Sequence, residues 1–149
     1  MSEEKITLAI IKWLKESGFE VIAFDFPQSG TGVSLHPNSG LSKNLRTIIP
    51  DIIAKKNDCL FFFENKSFFS KKDFEKVEQL IQENAYSENL EKLKNKYTAK
   101  RCLFGIGGPN SETFLIQAMR FSKMTDFIVV VQESDNKISM PWGLEALNG

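Results

Sequence analysis

The amino-acid sequence predicts an α/β protein, with a mixed central β-sheet flanked by helices on both faces. Two observations predict it. Helical and strand periodicities alternate in the order helix, strand, hairpin, helix, strand, helix, strand, which a chain satisfies by laying helices over a sheet. Each helical segment also carries one apolar stripe, and such a stripe has to be buried against another element. A chain of 149 residues suits a single domain over 1–149 with one hydrophobic core.

Ile6, Leu8, Ile10, Ile11, Trp13 and Leu14 crowd one helical face, charged residues fill the rest, and Gly18 stops this first helix. Residues 19–26 form a β-rich run that Pro27 ends. Residues 28–44 are rich in Gly, Ser, Asn and Pro without hydrophobic period, which predicts a long exposed loop, and loops of that length usually have a job. Strands over 47–54 and 59–64 follow, and the polar turn Lys55-Lys56-Asn57-Asp58 between them reads as an antiparallel hairpin. Ser70 with Asp73 resembles a helix cap. Phe74, Val77, Leu80 and Ile81 then recur at helical spacing and continue through Leu90, Leu93 and Tyr97, as one long helix or a broken pair. A strand over 101–106 runs into Gly107-Gly108-Pro109, after which Asn110 or Ser111 caps a helix bearing Phe114, Leu115, Ala118, Met119 and Phe121. A strand over 126–132 closes the regular part, and the stretch around Met140-Pro141-Trp142-Gly143 is compatible with a short edge strand.

Composition narrows the function classes. The 19 Lys and Arg balance the 19 Asp and Glu, so no general attraction to nucleic acid or membrane is expected, and any polyanion site must come from local sorting of charge. No apolar stretch approaches the ~18 residues needed to cross a bilayer, and the chain opens Ser2-Glu3-Glu4 rather than with a basic segment leading into an apolar one. No membrane partner is expected, and the cytoplasm is the default location. Cys59 and Cys102 each lie in an apolar strand-like run and read as reduced core thiols.

The chemistry concentrates on the hairpin. Asp51 follows Pro50 in one strand, and Glu64 and Lys66 lie at the end of the next. Two carboxylates at adjacent strand ends make the oxygen-rich, negative site that hard divalent cations require; Mg²⁺ typically takes one or two protein carboxylates, with waters and substrate phosphate. Glu64 and Lys66 are two apart and share a strand face, so the lysine reaches the same pocket. That combination suits phosphodiester hydrolysis, in which a metal polarises the phosphate while a lysine stabilises the attacking group as its ammonium or deprotonates it as its free amine. The backbone carbonyl of Asn65 is a further candidate ligand.

Pro50-Asp51, about a dozen intervening residues and then Glu64-Asn65-Lys66 resembles the signature of the PD-(D/E)XK nucleases, the restriction-endonuclease-like superfamily. The core of that family, helix, three-stranded meander, helix, strand, helix, strand, is close to the order read above over nearly the whole chain. The resemblance implies a restriction-endonuclease-like fold, metal binding by Asp51 and Glu64, Lys66 as the catalytic lysine, and DNA as substrate; the residues alone imply only phosphodiester chemistry. Many members add an acidic residue from the first helix, and among Glu3, Glu4 and Glu16 the choice falls on Glu4. The exonuclease branch often carries a Gln and a Tyr four apart on the following helix, a spacing that Gln82 and Tyr86 share, which makes both candidates for nucleic-acid contact.

From position 26 to 50 there is no acidic residue beside His36, Lys43 and Arg46, so the loop forms a locally positive surface leading to Asp51, read as a DNA contact or as a solvated loop. His36, the only histidine, is more simply a surface residue than a catalytic base. Lys71, Lys72 and Lys76 alternate with Glu75 and Glu78 and read as a solvated helix face. Residues 105–109 read as a tight turn in preference to a phosphate cradle, since the lysine of a nucleotide-binding loop is missing. The plain reading of the hairpin charges is an exposed ion pair, but their neighbours Ile48, Ile49, Ile52, Ile53 and Phe61 to Phe63 are apolar, and charges seldom accept partial burial without a purpose.

The expectation is a Mg²⁺-dependent endonuclease acting on DNA, with Mn²⁺ able to substitute, in restriction, repair or defence against mobile DNA. A small domain with little net positive charge has limited surface for reading sequence, so a homodimer or a specificity partner is expected. The alternative is a non-catalytic domain of the same fold that binds nucleic acid or protein.

Overall fold

The side chain of Ser2 accepts the Lys5 amide at 3.2 Å and starts helix α1 (Glu3–Glu16), which ends where Gly18 takes a φ of 86°. In this computed structural model, which describes residues 1–25, 32–38, 47–82 and 84–143, the chain continues through β1 (Glu20–Phe24), β2 (Ile52–Lys56), β3 (Cys59–Asn65), α2 (Lys71–Gln82), α3 (Ser87–Tyr97), β4 (Arg101–Pro109), α4 (Glu112–Arg120), β5 (Phe127–Val131) and β6 (Ile138–Trp142). The strands form one sheet in sequence order. β1, β2 and β3 are an antiparallel meander, β4 and β5 join parallel to β3, and β6 closes the far edge antiparallel. The fold is therefore α/β with a six-stranded mixed sheet and four α-helices among the described residues.

Strand alternation sorts the apolar residues into two cores. On one face, α1 buries Ile6, Ile10 and Leu14 against Ile52, Phe61, Phe63, Phe127 and Val129. On the other, α2 and α4 bury Phe74, Val77, Leu80 and Phe114 against Ile53, Phe62, Phe104, Ile106 and Ile128. The abundant phenylalanines supply ring packing in both: Phe63 meets Phe127 edge-on at 4.9 Å, and Phe62 stacks on Phe104 at 4.9 Å. Cys59 and Cys102 are free thiols, and burial pushes each up to about 11. No helix among the described residues is long and apolar enough to cross a membrane.

Several boundaries differ from the sequence reading. The strand expected over 47–54 begins only at Ile52, because Pro50 has no amide to donate; Ile48 before it forms an isolated bridge with Leu35. Lys55 and Lys56 belong to β2, and the hairpin turns at Asn57, whose φ is 55°. The turn expected over 105–109 is strand: β4 runs to Pro109, paired with β5. Its glycines serve close packing, since a Cβ on Gly105 would overlap the Phe127 ring and one on Gly108 the Phe114 ring. The loop expected over 28–44 is not wholly exposed. Leu35 is fully buried, and the segment is tied to α3 by the Asn38 side chain, which donates to Ser87 Oγ at 2.9 Å and accepts the Glu88 amide. Of the open alternatives for the middle helix the chain takes the broken pair, with a 3₁₀ turn over Asn84–Tyr86 between α2 and α3.

Candidate functional site

The β2 and β3 register ends at Ile52 and Phe63, and Asp51 follows just outside it, near enough to Glu64 for each charge to be felt by the other. Asp51 is fixed three times. Its amide donates to the Phe63 carbonyl at 2.9 Å, its carbonyl accepts the Asp25 amide at 2.9 Å, and its Oδ2 accepts the Asn65 amide at 2.7 Å. A strand residue points its N–H and C=O to the same side, so the Asn65 carbonyl faces the Asp51 side as well. The Asn65 side chain leaves on the other sheet face, is 1 % exposed, and donates from Nδ2 to Thr7 Oγ1 of α1 at 3.0 Å. Among the described residues its Oδ1 has no hydrogen-bond partner, and it lies where a Cβ on residue 107 would be, so glycine is required there.

Lys66 continues the line of β3, its amide donating to the Gly107 carbonyl at 2.9 Å. Its ammonium lies 4.0 Å from Glu64 Oε1, although Lys66 itself falls just past the end of β3, and 3.8 Å from both Glu3 Oε1 and Asp73 Oδ1. Lys76 Nζ lies 3.3 Å from Glu64 Oε2. The site thus sits at the carboxyl end of β3, where the Lys66 ammonium bridges an acid from the first turn of α1 and one from the first turn of α2. Helix amino ends favour negative charge, and the carboxyl ends of parallel strands are where α/β sheets commonly bind ligands.

Three acids of this cluster, Asp51, Glu64 and Asp73, hold their protons more tightly than usual. Burial, and next the neighbouring charge of Glu64, raise the Asp51 carboxyl to about 7, against the pull of the Asn65 amide. Burial likewise raises Glu64, whose side chain is 12 % exposed, although Lys76 and Lys66 oppose the shift. Asp73 is raised for the same reason, with Lys66 opposing. Burial would lower the Lys66 ammonium, but the carboxylates of Asp73, Glu3 and Glu64 outweigh it and hold it above its ordinary value. Lys66 is therefore held as an ammonium.

Among the described residues no group of three or more His, Cys, Asp or Glu side chains is arranged to hold a metal ion. A cation between Asp51 and Glu64 would have two carboxylates, the Asn65 carbonyl and water. That all-oxygen set fits Mg²⁺ or Mn²⁺ and not a zinc site built on thiolate or imidazole.

The structure gathers some of the expected residues and leaves others apart. Asp51, Glu64, Lys66 and Asn65 converge. The first-helix acid brought to Lys66 is Glu3, whereas Glu4, expected there, is exposed on α1. Gln82 is exposed at the end of α2, but Tyr86 belongs to the 3₁₀ turn and is 2 % exposed in the core, so the pair does not share one helix face. His36 is exposed, its amide donating to Asn89 Oδ1 at 2.8 Å and its Nδ1 lying 3.2 Å from Thr47 Oγ1. Lys43 and Arg46 lie outside the described residues. Two members of the cluster escaped the sequence reading. Asp73 was expected to cap a helix and Lys76 to be solvated, yet their spacing of three sets both on the α2 face that meets β3.

A cleft of about 630 Å³ lies elsewhere, between the outer side of α1 and the turn after β5. Its walls mix Lys5, Lys12 and Lys137 with Glu16, Glu133 and Asp135, without the buried, opposed charges of the hairpin site. The chain matches no protein-family model, no curated protein and no solved structure.

Proposed function

We propose that the chain is a divalent-metal-dependent nuclease of the restriction-endonuclease-like kind, hydrolysing DNA phosphodiester bonds at the Asp51, Glu64 and Lys66 site. The observation that carries the reading is the meeting of two partly buried carboxylates with a partly exposed ammonium at the end of a hairpin. The element order, with its meander followed by helix and parallel strand, agrees with the layout that the Pro-Asp and Glu-X-Lys resemblance implies.

Asp51, Glu64 and the Asn65 carbonyl would hold the cation, Mg²⁺ or Mn²⁺. When bound it would supply Lewis-acid polarisation of the phosphodiester and of the attacking water. The chain does the positioning: the Asn65 amide keeps Asp51 aimed at Glu64, and Thr7 keeps Asn65 in line. Lys66, kept protonated by three carboxylates, serves as an electrostatic partner for the charge that develops on the phosphoryl oxygens rather than as a base. The substrate approaches past the segment carrying His36, and a homodimer or specificity partner supplies the remaining contacts.

The test is cleavage of supercoiled plasmid and of linear single- and double-stranded DNA with Mg²⁺ or Mn²⁺. Asp51→Ala and Lys66→Ala should each lower the rate by about 10²-fold or more. Undiminished cutting by both variants would remove the assignment. Glu64 already has two lysines beside it, and a network compensated in this way also suits a non-catalytic binding domain of the same fold. Absence of both cleavage and metal binding would select that reading.

A further inference from the structure

The two lysines of the site are held differently. Lys66 lies among Glu3, Glu64 and Asp73 at 3.8, 4.0 and 3.8 Å, so it keeps two partners when Glu64 is engaged elsewhere. Lys76 stands closer to Glu64, at 3.3 Å, and Glu64 is one of the two proposed metal ligands. A cation at its ligand distance of about 2.1 Å from a Glu64 oxygen would face this ammonium at short range, with a like charge and little water between them. The Lys76 side chain is 35 % exposed and projects from the flank of α2, beside the buried Val77. Its four-carbon stem can carry the ammonium into solvent without disturbing the core contacts of Phe74, Val77 and Leu80.

We propose that Lys76 is a built-in counter-ion of the Asp51 and Glu64 site, which an incoming divalent cation has to displace, so that this residue sets the metal affinity of the site. The inference rests on the metal-site reading above. It also accounts for how two opposed carboxylates are tolerated in a half-buried position: the ammonium offsets part of their repulsion until a stronger cation takes its place. The metal affinity of the site is then tuned from the second turn of α2 as well as by the ligands. Metal uptake would swing Lys76 outward into solvent.

The full chain, stripped with EDTA, is titrated with Mn²⁺ by calorimetry, comparing the native protein with Lys76→Met, Lys76→Arg and Lys12→Met. Lys76→Met should bind Mn²⁺ about five- to tenfold tighter, as expected for loss of one competing ion pair of modest strength. Lys76→Arg keeps the charge and should stay within about twofold of native. Lys12→Met removes the same charge from the exposed side of α1, 81 % exposed and paired with Glu16, and should leave the affinity unchanged. Thermal melts check folding, and Lys76→Gln provides the same test should the methionine variant fold poorly. Unchanged or weaker binding by the uncharged variants overturns the proposal, as does equal tightening by Lys12→Met or an absence of Mn²⁺ binding throughout. DNA cleavage is read separately. Tightening of Mn²⁺ binding without any cutting would support the counter-ion role while removing the nuclease reading.

Discussion

The backbone amide of Asn65 donates a 2.7 Å hydrogen bond to Oδ2 of Asp51, so the strand that carries Glu64 and Lys66 also holds the opposing carboxylate in place. Burial and the charge of Glu64 outweigh this bond, and the Asp51 carboxyl rises from 3.8 to about 7. Holding the two acids face to face therefore costs the cation-free protein stability wherever both are charged.

That cost has a sign in pH. A carboxyl with a raised pKa binds its proton more tightly in the folded than in the unfolded chain, so its stabilising contribution is complete below about pH 4 and is lost as pH rises through about 7. Asp51→Asn keeps an acceptor for the Asn65 amide but cannot ionise. In EDTA at pH 8 it should melt about 3–8 °C above the native protein, and near pH 5 the gap should shrink. Parallel melting curves for the two proteins across that range would remove the assignment of Asp51 as the strained group. Added Mg²⁺ should raise the native melting temperature at pH 8 and leave that of Asp51→Asn in place, because only a folded state that binds the ion is stabilised by it.

The hairpin and its two carboxylates were legible because strand patterning and a short polar turn fix which residues face each other. The helix contributions were not. Glu3 and Glu4 are equally charged neighbours on one helical turn, and only the packing angle of α1 decides which reaches Lys66. Asp73 and Lys76 look like the start of any solvated helix until α2 is laid over β3. Gly105, Gly107 and Gly108 imitate a turn because the same lack of a side chain that permits one also permits rings and an amide to press on a strand. Tyr86 fails as the partner of Gln82 because the helix breaks between them, a break that apolar spacing alone left open.

The Thr7 and Asn65 pair links α1 to the site and should be sensitive to loss of one hydroxyl. Thr7→Val keeps the shape but leaves Asn65 Nδ2 without its acceptor, beside an Oδ1 that already has no donor. A buried amide stripped in this way costs about 1–3 kcal/mol. Urea unfolding should show that loss as a lower midpoint with unchanged slope, and an equal midpoint would show that Asn65 finds another partner.

Gly107 should tolerate no side chain. A Cβ there would overlap Asn65 Oδ1 and come within 2.7 Å of Ile10 Cδ1, so Gly107→Ala must move either the end of β3 or α1. Overpacking of this kind costs about 1–3 kcal/mol. The variant should lose both stability and Mn²⁺ affinity, because displacing Asn65 also displaces the amide that aims Asp51. Loss of stability with unaltered metal binding would mean that α1 yields and the strand does not.

Glu3 and Glu4 allow the helix contribution to be separated from the site contribution. Both acids lie in the first turn of α1, where a negative side chain stabilises the helix by about 0.3–1 kcal/mol, so Glu3→Gln and Glu4→Gln should lower the melting temperature alike. Only Glu3 reaches the cluster, 3.8 Å from the Lys66 ammonium and near enough to raise the Asp51 carboxyl. Its charge deepens the negative potential in which a divalent cation would bind, and a doubly charged ion gains more from that field than the proton competing for Asp51. Mn²⁺ titration should therefore show affinity lowered about threefold or more by Glu3→Gln and unchanged by Glu4→Gln. Equal effects of the two substitutions would place the influence of α1 in its helix dipole, whereas a loss confined to Glu4→Gln would require α1 to be rotated by about one residue from the arrangement described.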